Sequence, residues 1–199
     1  MCMGIKSREQ DTHIHFTNRE REREREREGS TSMATSSNLQ GLHQVFVYGS
    51  LLADEVVRVL LKRIPQSSPA TLNGFHRFSI KGRVYPAILP VENKKVIGRV
   101  LSGITPLELH IFDTFEDVEY KRCTVEVSLM DGSQKLQAHA YVWANSSDPN
   151  LYGDWIFEEW RQAQMKDFIK MTMRFMEELE QPESKARVET YESFYQPSG

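Results

Sequence analysis

The sequence predicts an α+β domain, on three observations. An apolar β-branched and aromatic run, Val45 to Tyr48, stops at Gly49 and Ser50 ahead of a helical stretch. From Tyr120 onward apolar and polar residues alternate, and Asp131-Gly132-Ser133 closes that run into a hairpin with residues 136–144. Apolar residues recur at three and four over 106–115 and 157–179. At 199 residues and 23.1 kDa the chain has room for one domain with a substantial core, or two small ones. A formal net charge of -3 and a pI near 6.1 offer no basic surface for phosphates, so nucleic acid is not an expected partner. No run of 18 apolar residues is present to span a bilayer. The start Met1-Cys2-Met3-Gly4-Ile5-Lys6 lacks the apolar segment of a signal peptide, and nearby acidic residues argue against a transit peptide. A soluble protein of the cytosol or nucleus is expected, with cytoplasmic the working assignment. Cys2 and Cys123 are too few for a disulfide framework and form no metal-type pair.

Residues 1–43 carry no sustained apolar period and read as a disordered N-terminal arm. Arg19 to Glu28 alternate arginine and glutamate, which gives opposite charges three apart but like charges four apart on a helix. A regulatory tail is the functional alternative. The alternation also matches a GA-repeat in the coding nucleic acid, with synthesis starting at Met33; a native mass that includes residues 1–32 rules this out. His13 and His15 lie in the arm without further ligands or a rigid scaffold, and read as solvated.

The domain is expected over 44–180. After the strand at Val45–Tyr48, Asp54 opens a helix with Val56, Val57, Leu60, Leu61 and Ile64 at helical spacing. Gly49 and Ser50 at the join either merely connect the two elements or form a cradle for a carboxylate or developing oxyanion. In the second case glycine permits close approach, and unpaired amides lie at the positive end of the helix. Pro65 to Pro69 form a breaker. Residues 70–80, with Asn73-Gly74 as a turn or bulge signal, and residues 83–89 read as short strands. Glu92-Asn93-Lys94-Lys95 reads as a hairpin tip returning through Val96 to Ile104. Arg83 and Tyr85 are either half-buried sheet positions or pocket-lining ones.

Thr105, Pro106 and Glu108 form an N-cap, first-turn proline and capping box for a helix from Pro106 to near Phe115, with Leu107, Ile111 and Phe115 on one face. Asp113, Glu116, Asp117 and Glu119 then crowd its C-terminal end, where the macrodipole disfavours negative charge. This is either a solvated acidic turn or, with burial, a place where at least one carboxyl pKa rises toward neutrality. In the next strand Cys123, Val125, Val127 and Leu129 face inward, so Cys123 reads as a core residue and not a reactive thiol. His139, Tyr141 and Trp143 alternate with Ala138, Ala140 and Val142 on the return strand, His139 as an exposed sheet residue. Asp154 is expected to cap a long helix whose Phe157, Trp160, Gln164, Phe168, Met171, Phe175 and Leu179 face the core, up to Pro182. Residues 181–199 read as a flexible C-terminal tail whose Tyr191, Phe194 and Tyr195 are able to dock.

Four segments keep a characteristic order and spacing: Val-Phe-Val-Tyr-Gly-Ser-Leu at 45–51, Phe-Asp-Thr-Phe-Glu-Asp-Val-Glu-Tyr-Lys-Arg at 112–122, Tyr-Val-Trp-Ala-Asn at 141–145 and Asp-Pro-Asn-Leu-Tyr-Gly-Asp-Trp at 148–155. Over roughly 44–180 the chain thus resembles the gamma-glutamylcyclotransferase-like superfamily and, within it, the plant avirulence-induced gene 2 (AIG2-like) group. The resemblance implies a mixed sheet closed into a small β-barrel, with flanking helices and a long C-terminal helix. It implies a substrate pocket lined by Tyr48, Gly49, Ser50, Leu51, Leu52 and Ala53 with Glu116 opposite. The implied activity is acyl transfer: cyclisation of the gamma-glutamyl group of a small amide substrate to 5-oxoproline, releasing an amine or amino acid. Glu116 would be proton acceptor and donor, with no cofactor and no metal. Relatives usually have glycine directly after that glutamate; Asp117 stands there in this chain, and is expected to shift the loop or add charge to the pocket. The alternative is a non-catalytic protein that binds a small amine metabolite or a protein partner in plant stress or defence. A metal or thiol hydrolase is disfavoured, because Cys123 faces the core and no histidine pair in the folded part has ligand spacing. The leaving group and the oligomeric state are open at this point.

Overall fold

The computed structural model describes residues 41–131, 134–181 and 186–195. Nearly all of the expected N-terminal arm, with His13, His15 and Met33, lies outside them, as do Gly132, Ser133 and Pro182. The β-branched and aromatic runs form strands β1 (His43–Val47), β2 (Gln66–Ile80), β3 (Ala87–Ile104), β4 (Tyr120–Leu129), β5 (Lys135–Trp143) and the short β6 (Leu151–Tyr152). The helices are α1 (Asp54–Leu61), α2 (Pro106–Glu116), α3 (Phe157–Ala163), α4 (Met165–Leu179) and α5 (Arg187–Tyr195). Strand order is β3-β1-β5-β4-β2, and β2 pairs again with β3, so five strands close into a barrel, with β6 attached to the end of β2. The sheet is mixed: β1 runs parallel to β5 at Val45↔His139, and the other pairs are antiparallel.

The expected short strands around Pro65–Ile104 are in fact two long ones. Their reversal lies at 81–86, not at Glu92–Lys95. Register explains the difference: Asn73 pairs with Lys95 and Phe75 with Pro90, so Gly74 (φ 76°) faces the bulged stretch 91–94, where Asn93 also takes a positive φ of 60°. Polar residues at a bulge and at a hairpin tip look alike in sequence. Pro69 does not break β2, since it keeps a carbonyl that accepts the Met130 N–H at 2.9 Å. At Gly98 β3 and β1 come so close that a Cβ would sit 2.3 Å from the Val47 carbonyl oxygen.

The α2 capping box forms as expected, with Thr105 and Glu108 exchanging hydrogen bonds and Arg63 gripping Glu108 at 2.5 and 2.7 Å. Its buried face is Leu109, Phe112 and Phe115, whereas Leu107, expected inside, is exposed. The expected single C-terminal helix divides at Gln164 (φ -123°) into α3 and α4. Asp154 does not cap it; Ile156 precedes α3 with no side-chain cap. The reason is a tertiary contact: the Trp155 indole N–H donates to the Val84 carbonyl at 2.9 Å, holding the chain against the barrel past Asp154. Phe168, Met171 and Phe175 on α4 and Trp160 on α3 do face the core, and α1 packs on α4. The stretch expected to be a flexible tail contains α5, with Arg187, Thr190 and Tyr191 buried. No long apolar period announces it; three buried positions and the ion pairs Arg187–Glu119 and Arg83–Glu192 hold it, and these arise only from tertiary contact. No helix among the described residues is long and apolar enough to cross a membrane.

Candidate active site

Where β1 ends, Arg77 of β2 donates to the Tyr48 carbonyl at 2.6 Å and packs over the Trp155 ring, fixing the start of the turn. Gly49 has an ordinary negative φ of -116°. Its lack of a side chain answers a close approach instead: a Cβ would lie 2.8 Å from Pro86 Cγ. Ser50–Leu52 then form one 3-10 turn before α1, so the α1 N-terminus does not open directly on the turn, as the sequence suggested. The N–H groups of Leu52 and Ala53 are committed to the Gly49 and Ser50 carbonyls at 2.9 and 3.0 Å. Those of Gly49, Ser50 and Leu51 have no acceptor among the described residues.

This turn forms one wall of a narrow cavity with about 420 Å³ of space between atoms, open mouth included. Tyr48, Gly49, Ser50 and Leu51 line it; Leu52 and Ala53, expected with them, do not. Tyr85 and Pro86 come from the β2–β3 connection, Tyr120 and Tyr141 from the barrel, Phe168 from α4 and Arg187 from α5. Opposite the turn stand Phe115 and Glu116, the last two residues of α2. Arg83, the other residue considered for the pocket, turns away to Glu119 and Glu192 at 3.4 and 3.3 Å.

The cavity tyrosines all donate to protein acceptors: Tyr48 to the Tyr141 carbonyl, Tyr85 to Glu119 at 2.7 Å, Tyr120 to the Pro86 carbonyl at 2.7 Å and Tyr141 to Asp113 at 2.8 Å. Burial pushes their pKa values above the usual tyrosine range, so they are neutral phenols and not bases. The Glu116 carboxyl, half-buried, accepts no hydrogen bond from any described residue. Loss of water pushes its pKa up to about 7; Arg187 opposes that rise and Glu119 adds to it. The acidic end of α2 is therefore not simply a solvated turn. Asp117 adopts φ 56° and ψ -161°, a conformation suited to glycine, and its carboxylate accepts the Val118 and Val188 N–H groups at 2.7 and 3.3 Å. Thus it adds no side chain to the cavity wall.

Residues 45–158 match the family described as Gamma-glutamyl cyclotransferase, AIG2-like. The chain belongs to this family. It is 62% identical over 144 residues to AIG2-like protein D of Arabidopsis thaliana, covering 72% of this chain and 95% of that protein. AIG2-like protein C of the same plant is 56% identical over 153 residues, covering 77% and 89%. A solution structure of an Arabidopsis thaliana protein superposes with a TM-score of 0.55 at 44% identity, covering 72% of this chain and 96% of that one. The barrel with flanking helices is the gamma-glutamylcyclotransferase-like fold that the motifs implied.

Sequence reasoning did not place Phe168, Tyr120, Tyr141 or Arg187 in the site. Tyr120 and Tyr141 lie within the AIG2-like motifs and offered a signal. Arg187 offered none, being one cation in a polar stretch beyond the family match.

Proposed function

We propose that this AIG2-like protein is a gamma-glutamylcyclotransferase with Glu116 as its proton acceptor and donor. The observation that carries the reading is a cavity in which a carboxyl pushed up to a pKa of about 7 shares the walls with the Gly49, Ser50 and Leu51 amides, none of these groups having a hydrogen-bond partner among the described residues. A gamma-glutamyl amide brings its own nucleophile, the α-amino group. Glu116 takes a proton from the ammonium, and the freed nitrogen attacks the γ-carbonyl carbon, forming the ring C–N bond. The oxyanion is held by the turn amides, each good donor worth about 3–4 kcal/mol in other enzymes. Collapse breaks the original amide C–N bond as Glu116 returns its proton to the leaving nitrogen, and the surplus proton on the ring nitrogen then passes through Glu116 to the departing amine, so 5-oxoproline and a protonated amine or amino acid depart without consuming water. Holding the chain bent for ring closure contributes up to roughly 7–11 kcal/mol in well-oriented systems. Gly49 and Pro86, packed against each other, narrow the site and favour such a bent substrate.

The test is 5-oxoproline release from a panel of gamma-glutamyl amino acids, gamma-glutamyl amines and glutathione. Turnover of at least one is expected, and it would name the leaving group. Absence of product from every member would favour the metabolite-binding alternative.

A further inference from the structure

The family match ends at residue 158, yet the cavity wall is completed from further along the chain, by Phe168 and Arg187. Arg187 is 2% exposed. Its Nε donates to the Phe115 carbonyl at 2.7 Å, and its Nη2 donates to the Glu116 carbonyl at 3.4 Å and to the Glu119 carboxylate at 3.0 Å. The guanidinium lies 4.4 Å from the centre of the Tyr85 ring. From the other side, Asp117 accepts the N–H of Val188, so the ends of α2 and α5 are tied in both directions.

We propose that Arg187 is a positioning residue for Glu116: its guanidinium clamps the last carbonyls of α2 and the Glu119 carboxylate, holding the Glu116 side chain in the cavity wall without a hydrogen-bond partner among the described residues. The proposal rests on Glu116 as the reacting carboxyl. The position of the fork explains why Arg187 and Glu119 bond each other while Glu116 stays free. A helix C-terminus repels an adjacent carboxylate, and a cation bonded to its carbonyls offsets that repulsion. The titratable and charged groups around Glu116 are Tyr48 at the end of β1, Tyr85 before β3, Asp113 on α2, Glu119 in the following turn, Tyr120 on β4, Tyr141 on β5 and Arg187 on α5; α4 contributes only Phe168 to the cavity. The tyrosines are neutral, and Asp113 is engaged by Arg122 and Tyr141. Arg187 is therefore the cation that acts on Glu116.

The experiment compares full-length wild type, Arg187→Gln and Arg187→Lys by carbon-13 NMR titration of the Glu116 carboxyl without substrate, the signal assigned by its loss in Glu116→Gln. The pH profile of 5-oxoproline release is recorded beside it. Removing the cation should raise the Glu116 midpoint by about one pH unit or more, and move the rising limb of the profile by the same amount. Arg187→Lys keeps the charge without the fork, so its midpoint should stay near wild type while turnover falls about ten- to a hundredfold. An unmoved midpoint in folded Arg187→Gln overturns the proposal. If Arg187→Gln does not fold, wild-type turnover in Arg187→Lys overturns it instead. A wild type without turnover on the panel would sink the cyclotransferase reading, whereas the substrate-free titration would still decide whether Arg187 acts on Glu116.

Discussion

The Glu116 carboxyl is pushed up to about 7 because the cavity wall takes water from it, and that has consequences for stability as well as for the proposed chemistry. A carboxyl whose pKa is raised in the fold, here from 4.5 to about 7, favours the folded state fully below its unfolded pKa. The contribution is lost as pH rises through the folded value, and the whole span corresponds to about 3 kcal/mol. Glu116→Gln removes the titration while keeping the shape. It should be more stable than wild type at pH 8.5 by up to about 3 kcal/mol, with the gap closing toward pH 4, read from urea unfolding at both values. In the same variant 5-oxoproline release should drop on the order of a hundred- to ten-thousandfold. Wild-type turnover would place the base elsewhere. Glu116 was nameable from the sequence through its motif and its position against the helix dipole. Its lack of a hydrogen-bond partner among the described residues was not, because that depends on where Arg187, Glu119 and four tyrosines direct their own polar groups.

Among the elements, the turn after α2 and the β1–β3 contact bear the most constraint. Asp117 holds a conformation that costs a non-glycine residue about 1–3 kcal/mol, offset in part by its bonds to Val118 and Val188. Asp117→Gly should therefore leave global stability unchanged or up to about 1 kcal/mol higher, while the amides of α5 exchange faster with solvent. A loss of more than that, or unaltered exchange in α5, would show that the tie is not what holds the helix. Gly98→Ala should cost about 3 kcal/mol or more in urea unfolding, since the added Cβ meets a backbone carbonyl oxygen and a Phe46 ring with no free side chain to yield. The capping box of α2 could be read in advance because its partners are three residues apart. The division of the last helix at Gln164 could not, because no proline or glycine marks it and the Trp160–Phe168 ring contact that spans it forms only in the folded chain.

At the scale of the whole molecule, closure of the sheet by β2–β3 brings the end of β1 and the end of α2 to one cavity, although Ser50 and Glu116 are far apart in the sequence. Among the described residues no group of three or more His, Cys, Asp or Glu side chains is placed to hold a metal ion. The proposed ring closure needs none, so overnight dialysis against a strong chelator should leave the rate of 5-oxoproline release unchanged. A loss restored by a divalent cation would refute the mechanism.

The amino-acid order by itself determined what short-range chemistry controls: the α+β class, the apolar face of β4, the capped start of α2, and the motifs that identify the family and put forward Tyr48, Gly49, Ser50, Leu51, Leu52, Ala53 and Glu116 as site candidates. Tertiary structure decided what depends on partners distant in the chain. It set the long β2 and β3 and their bulge, withdrew Leu52 and Ala53 from the cavity, and converted a polar tail into the helix that delivers Arg187. Alternation and capping act over a few residues and are written locally. Register, burial and a carboxyl's ionisation are set by whatever the closed barrel brings beside each group.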